Sequence, residues 1–111
     1  MGITHIVLFQ FKSSTSPDEI KEISNQFLSL KDTCIHPTTK TAYIKTITGG
    51  LNNSPETHGA HGFTHGYVVE FNNADDRNHY VDHDEAHDTF KKFVRQHVEK
   101  VQILDYENGI F

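Results

Sequence analysis

The run Ile3-Thr4-His5-Ile6-Val7-Leu8-Phe9-Gln10-Phe11-Lys12 decides how the rest of the chain must be arranged. In a strand, successive side chains point to opposite faces. Ile3, His5, Val7, Phe9 and Phe11 therefore share one face, and Thr4, Ile6, Leu8, Gln10 and Lys12 share the other. Both faces are apolar in the middle, whereas a strand with one solvated face would alternate cleanly. The reading is a strand covered twice, by helices on one side and by a second subunit on the other.

Working outward, Ser16-Pro17-Asp18-Glu19 carries the marks of a helix start: a capping Ser, a Pro suited to the first helical position, and a Glu three residues after the cap. Ile20, Ile23, Phe27 and Leu30 recur at helical spacing through about Lys31. Cys34 to Thr39 is a turn, because Pro37 disfavours helix at His36. Tyr43 to Thr48 is β-rich and is expected to end at Gly49-Gly50. Leu51 to Gly62 reads as a polar loop, long enough for a lid over a pocket and equally suited to an idle connection. Strict alternation returns in Phe63 to Phe71, with Phe63, His65, Tyr67, Val69 and Phe71 inward. Asn73 caps a helix running to about Asp82. A link at His83 to Ala86 follows, then a short helical piece from His87 to about Gln96. The last strand, Val98 to Tyr106, puts Val101 and Ile103 on one face and Val98, Leu104 and Tyr106 on the other.

The order β-α-β-β-α-β is the split βαβ arrangement: an α+β, ferredoxin-like subunit with a four-stranded antiparallel sheet and both helices on one face. Residues 1–111 read as a single domain, in keeping with the length. Ile6, Leu8, Val68, Leu104 and Tyr106 populate the bare face, a large apolar patch for a monomer. A homodimer packed through that open sheet face would cover it.

A net charge of -5 with ten Lys and Arg argues against nucleic acid and anionic membranes as partners, since both require a basic patch. The first residues carry no basic leader, and their apolar run is far too short to span a bilayer. Cys34 is the only cysteine, so no intrachain disulfide forms and a reducing, cytoplasmic setting is expected.

The chemistry-bearing stretch is Tyr80-Val81-Asp82-His83-Asp84-Glu85-Ala86-His87, with His79 before it and Phe90 after. His79, His83 and His87 fall at i, i+4 and i+8, a metal-binding pattern on an unbroken helix. The expected break before His87 and the lack of a completing Cys or carboxylate weigh against a metal, so none is assigned, and chelation by two of the three His is the lesser alternative. A neutral imidazole can take a proton α to a carbonyl, and a phenol or second imidazole can hold the developing enolate oxygen. In that reading His87 is the base and Tyr80 the orienting or oxyanion-holding group. His5 and His65, with inward parity on their strands, add polar contacts. The plain alternative is a Tyr filling core space among chemically idle His residues. No nucleophile-elbow signature appears, and nothing marks Cys34 as a stabilised thiolate.

Thr4 to Lys12, Thr64 to Phe71, Tyr80 to His87 and Val101 to Tyr106, in that order, resemble the stress-responsive dimeric α/β-barrel (Dabb) domain family. Lys31-Asp32 through Gly49-Gly50 resembles its fungal-type members in particular. The resemblance implies a ferredoxin-like subunit whose sheet pairs with a second copy as a dimeric α/β barrel. It includes a distant similarity to olivetolic acid cyclase, a plant polyketide cyclase that performs a cofactor-free aldol cyclisation with a Tyr and His pair. The pair corresponds here to Tyr80 and His87, one residue further apart. Its pocket corresponds to His5, Val7, Phe9, Ile23, Phe27, Tyr67, Phe90, Val101 and Ile103. Two functions follow as expectations. One is a cofactor-independent cyclase or lyase acting on a polyketide-like, small apolar carbonyl compound. The other is a non-catalytic stress-responsive dimer that binds a small apolar ligand.

Overall fold

The computed structural model describes residues 1–56 and 58–111. In chain order the elements are β1 (Ile3–Phe11), α1 (Pro17–Thr33), β2 (Ile44–Leu51), β3 (His65–Phe71), α2 (Ala74–Asp82), α3 (Glu85–Arg95) and β4 (Val98–Tyr106). The strands form one antiparallel sheet in the order β2-β3-β1-β4. This is the expected ferredoxin-like arrangement, with the second helical region split in two.

The helix starts follow from local chemistry. Ser16 accepts from the Glu19 amide and Glu19 returns a bond to the Ser16 amide, closing the capping box with Pro17 in the first turn. Ile23, Phe27 and Leu30 of α1 then bury against Val7, Phe9, Tyr67 and Val69 of the sheet. Asn73 caps α2 by accepting from the Asp76 amide. Asp84 caps α3, accepting from the His87 amide at 3.0 Å, while the Tyr43 hydroxyl donates to its other oxygen at 2.6 Å. That buried carboxylate moves the start of α3 to Glu85, two residues ahead of the expected His87, and shortens the link to His83 and Asp84.

Three strand expectations are corrected. β3 begins at His65 rather than Phe63, and Phe63, expected inward, packs under the Lys100 ammonium at the end of the preceding loop. β2 does not end at Gly49-Gly50 but runs through them to Leu51. Gly49 lies under the Tyr67 ring, where an added Cβ would come within 2.4 Å of Cδ1, so the missing side chain is a packing requirement rather than a turn signal. Val98 was expected on the face of Leu104 and Tyr106. A register shift between Gln10 and Phe11 pairs it with Phe11 and turns it toward the helices.

The loop expected at Leu51 to Gly62 falls partly on residue 57, which lies outside the described residues. Its far end rests on the open sheet face. The Lys100 ammonium donates to the His61 carbonyl and sits 4.4 Å from the centre of the Phe63 ring. Leu8, Gly66 and Gln102 of that face and Asn52, Asn53 and Ser54 of the loop enclose a cavity of about 620 Å³. No described helix is long and apolar enough to cross a membrane.

Candidate active site

The helices cover β1 but stop short of β4, and the gap is a cavity of about 700 Å³. Val7, Phe9, Phe27 and Phe90 line its deep end, Val101 and Ile103 form the β4 side, and Val81 and Val94 close it from α2 and α3. Into this apolar space project His5, Arg77, His87, Lys91 and Asp105. An apolar pocket with a few convergent polar groups is the usual form of a small-molecule site.

His87 sits in the first turn of α3, where the Asp84 cap holds its backbone. Its ring stacks on Tyr80 with centroids 3.7 Å apart and planes 14° from parallel. Nδ1–H donates to the Tyr80 carbonyl at 2.7 Å, which leaves the Nε2 lone pair as the free basic position. Burial pulls the imidazole pKa down to about 4. The Tyr80 carbonyl bond opposes that shift, the nearby Lys91 and His5 reinforce it, and Asp84 opposes it weakly. At neutral pH the ring is therefore an uncharged base.

A second polar row crosses the site. His5 Nδ1–H donates to Asp105 Oδ1 at 2.6 Å, and Arg77 Nη1 donates to Asp105 Oδ2 at 2.9 Å. Arg77 is fixed in turn by a bond from Nε to Asn78 Oδ1 at 2.7 Å. The row ties α2 to β4 and β4 to β1. The Asp105 carboxylate orients the imidazole and neutralises the guanidinium.

Of the expected site residues, the fold brings His5, Val7, Phe9, Phe27, His87, Phe90, Val101 and Ile103 to one cavity. Four lie elsewhere. Tyr80 is fully buried among His5, Phe71 and His87, away from the cavity wall. Its hydroxyl has no hydrogen-bond partner among the described residues, and burial raises its pKa well above that of a free phenol. Ile23 is core. Tyr67 is buried too, stacked on Phe27 at 4.6 Å with its hydroxyl 2.7 Å from Ser24 Oγ. Its bulk fills the space a longer pocket would need. His65 packs edge-on against Phe11 at 5.2 Å and borders the loop cavity instead, with its pKa lowered by burial.

The His79, His83 and His87 series does not converge. His79 lies 6.2 Å from His83 and 5.5 Å from His36, ring centre to ring centre, while His87 turns inward. Among the described residues no group of three His, Cys, Asp or Glu side chains is placed to hold a metal ion. Arg77, Lys91 and Asp105 were not anticipated. For Asp105 the signal was present, since it continues the parity of Val101 and Ile103 and lies opposite His5 in the strand register. Arg77 and Lys91 carry no comparable mark, because a cation on a helix is ordinarily solvated.

A model of the stress responsive A/B barrel domain matches residues 3–108. Among solved structures, an Arabidopsis thaliana protein superposes with a TM-score of 0.83 at 26% identity, over 98% of this chain and 97% of that one. The hydroxynitrile lyase from Passiflora edulis superposes with a TM-score of 0.79 at 25% identity, over 99% and 96%. A dimeric protein of unknown function and ferredoxin-like fold from Bacteroides fragilis gives 0.65 at 26% identity, over 96% and 95%. A search of curated proteins finds no match. The family match runs from the first residue of β1 to beyond the end of β4, and so takes in every element that frames the cavity; the chain belongs to the stress responsive A/B barrel (Dabb) domain family.

Proposed function

We propose that the cavity is the site of a cofactor-independent lyase or cyclase acting on a small apolar carbonyl compound, polyketide-like in its spacing of carbonyl groups, with His87 as the base. The observation that carries this reading is His87 itself: a buried, uncharged imidazole whose Nδ1 is occupied by a carbonyl and whose ring lines an apolar cavity. Nε2 takes a proton from the carbon α to a carbonyl, and the electron pair moves onto the carbonyl oxygen as an enolate. The enolate carbon then attacks a second carbonyl, whose oxygen takes the proton back from His87. Arg77, through guanidinium N–H groups not engaged by Asp105 and Asn78, is the cavity-lining group suited to the enolate oxygen, and His5 holds its partner Asp105 in place. Tyr80 contributes through its carbonyl and its ring, which set the tautomer and tilt of His87, rather than through its phenol. The likeness to a hydroxynitrile lyase supports small-molecule bond cleavage or formation on this fold.

The open sheet face carries the second half of the proposal, a homodimer, in keeping with the dimeric relative from Bacteroides fragilis. The enclosed Tyr80 hydroxyl favours one other reading, a dimer that binds a small apolar ligand without turnover. Assays of His87→Ala and Tyr80→Phe against β-polycarbonyl and cyanohydrin substrates separate the two. Loss of a general base is expected to cost about 10²- to 10⁴-fold in turnover, whereas Tyr80→Phe should retain most of it. Unchanged turnover in His87→Ala would remove the mechanism.

A further inference from the structure

β4 carries exposed apolar residues on both faces at once. Val101 and Ile103, on the cavity side, are 52% and 58% exposed; Leu104 and Tyr106, on the open side, are 56% and 45% exposed. The strand is an edge of the sheet, so one side of its backbone is also unpaired. Edge strands of monomers are ordinarily blunted by charge, proline or a covering element; β4 carries Glu99, Lys100 and Asp105 toward its ends, but its centre, Val101 to Leu104, has neither charge nor proline, and no described helix lies over it.

From this we infer that a second copy of the chain wraps the β4 edge and supplies the outer wall of the His87 cavity, so that the site is complete only in the dimer. The inference rests on the proposed homodimer and deepens it. Four strands about 4.8 Å apart, rising about 3.3 Å per residue over some eight residues, present a face of roughly 500 Å² in projection. Its accessible area is larger, close to the roughly 800 Å² per partner that a standard stable interface buries. One end of the face is already taken by the loop that Lys100 holds through His61 and Phe63. What remains falls short of that size, and the apolar surface that continues from Leu104 and Tyr106 is the other side of the same strand. In a two-fold dimer the contact is reciprocal, so each copy closes the other's cavity.

The test is the solvent accessibility of the Val101 and Ile103 methyl groups, read by NMR as relaxation enhancement from a soluble nitroxide. It compares the wild-type protein with Leu104→Lys, whose side chain lies on the open face and outside the cavity. Light scattering on the same samples gives the oligomeric state. The expected result is a wild-type dimer with both methyl sets shielded several-fold relative to monomeric Leu104→Lys. Dilution of the wild-type protein through its dissociation should give the same contrast without a substitution. A dimer whose Val101 and Ile103 methyls are as accessible as in the monomer overturns the inference and leaves the homodimer standing. A wild-type monomer overturns both.

Discussion

β1 and β4 are neighbours of equal length, paired from Thr4 with Tyr106 to Phe11 with Val98, and both contain apolar residues at each parity. They end in opposite environments. β1 alternates between buried and half-buried residues, whereas seven of the nine β4 residues are exposed. The difference is not in their own sequences but in what lies above them. β1 is an inner strand under the helices, and β4 is an edge whose helix-side face opens onto the cavity. A strand of this composition left bare marks either an interface or a ligand site, and β4 borders both proposals made here.

The comparison breaks if β4 proves as important to the isolated subunit as β1. Phe9→Ala in β1 removes a buried ring and should cost about 3 kcal/mol or more in urea denaturation. Ile103→Ala in a monomeric background, where half the side chain already meets water, should cost no more than about 1 kcal/mol. Equal losses would mean that β4 is covered within a single subunit.

His87 lines the cavity that both strands border and gives the next largest effect. Its folded pKa is depressed to about 4 by burial, below the unfolded value near 6.5. The unfolded chain therefore binds more protons between these values, and stability rises with pH across that window. The contribution is complete above about pH 6.5 and is lost as pH falls toward 4, with an upper limit of about 3 kcal/mol at 1.36 kcal/mol per unit. Denaturation of wild type and His87→Gln at pH 7 and pH 4.5 measures it. If both lose the same stability on acidification, the buried neutral imidazole is not the cause. For turnover, the acidic limb should lie near pH 4 rather than 6.5.

A smaller effect tests the covered side. Gly49→Ala puts a methyl carbon against the Tyr67 ring, and the overpacking should cost about 1–3 kcal/mol. The same change at Gly50, where an added Cβ meets nothing, should be tolerated. Equal melting temperatures for the two variants would refute the close-approach account.

The smallest effect is expected where α2 ties down β4. Arg77→Met removes a partly exposed ion pair with Asp105 and should cost about 1 kcal/mol or less. Its clearer signature is in the His5 imidazole, whose Nδ1 proton resonance should shift as Asp105 becomes free to rotate. An unmoved resonance would show that His5 does not depend on the Arg77 contact.

Much of the fold was legible in the residues. The alternation of β1 and β3, the capping box at Ser16 and the apolar spacing of α1 are local patterns, and each fixes its element through contacts within a few residues. The α3 start was not, because its cap, Asp84, is held by Tyr43 from a distant part of the chain. Gly49 misled for a related reason, since its role is set by a ring on the adjacent strand. Strand parity put His5, Val7 and Phe9 on one face of β1 and Val101 and Ile103 on one face of β4, and the family resemblance joined them in a pocket, but neither could say that Tyr80 would face the core while His87, seven residues later and across a helix break, would face the cavity.

By itself the sequence determined the element order, the two-sided apolar character of β1 and β4, and therefore a sheet that helices alone cannot cover. Those are properties of residue type and period, which act over short distances along the chain. Only the tertiary structure decided which strand lies beneath the helices and which at the edge. It also buried the phenol of Tyr80, freed Nε2 of His87 and joined His5 to Arg77 through Asp105. Each of these depends on groups brought together from separate elements, and burial, tautomer and ion pairing exist only once those elements have packed.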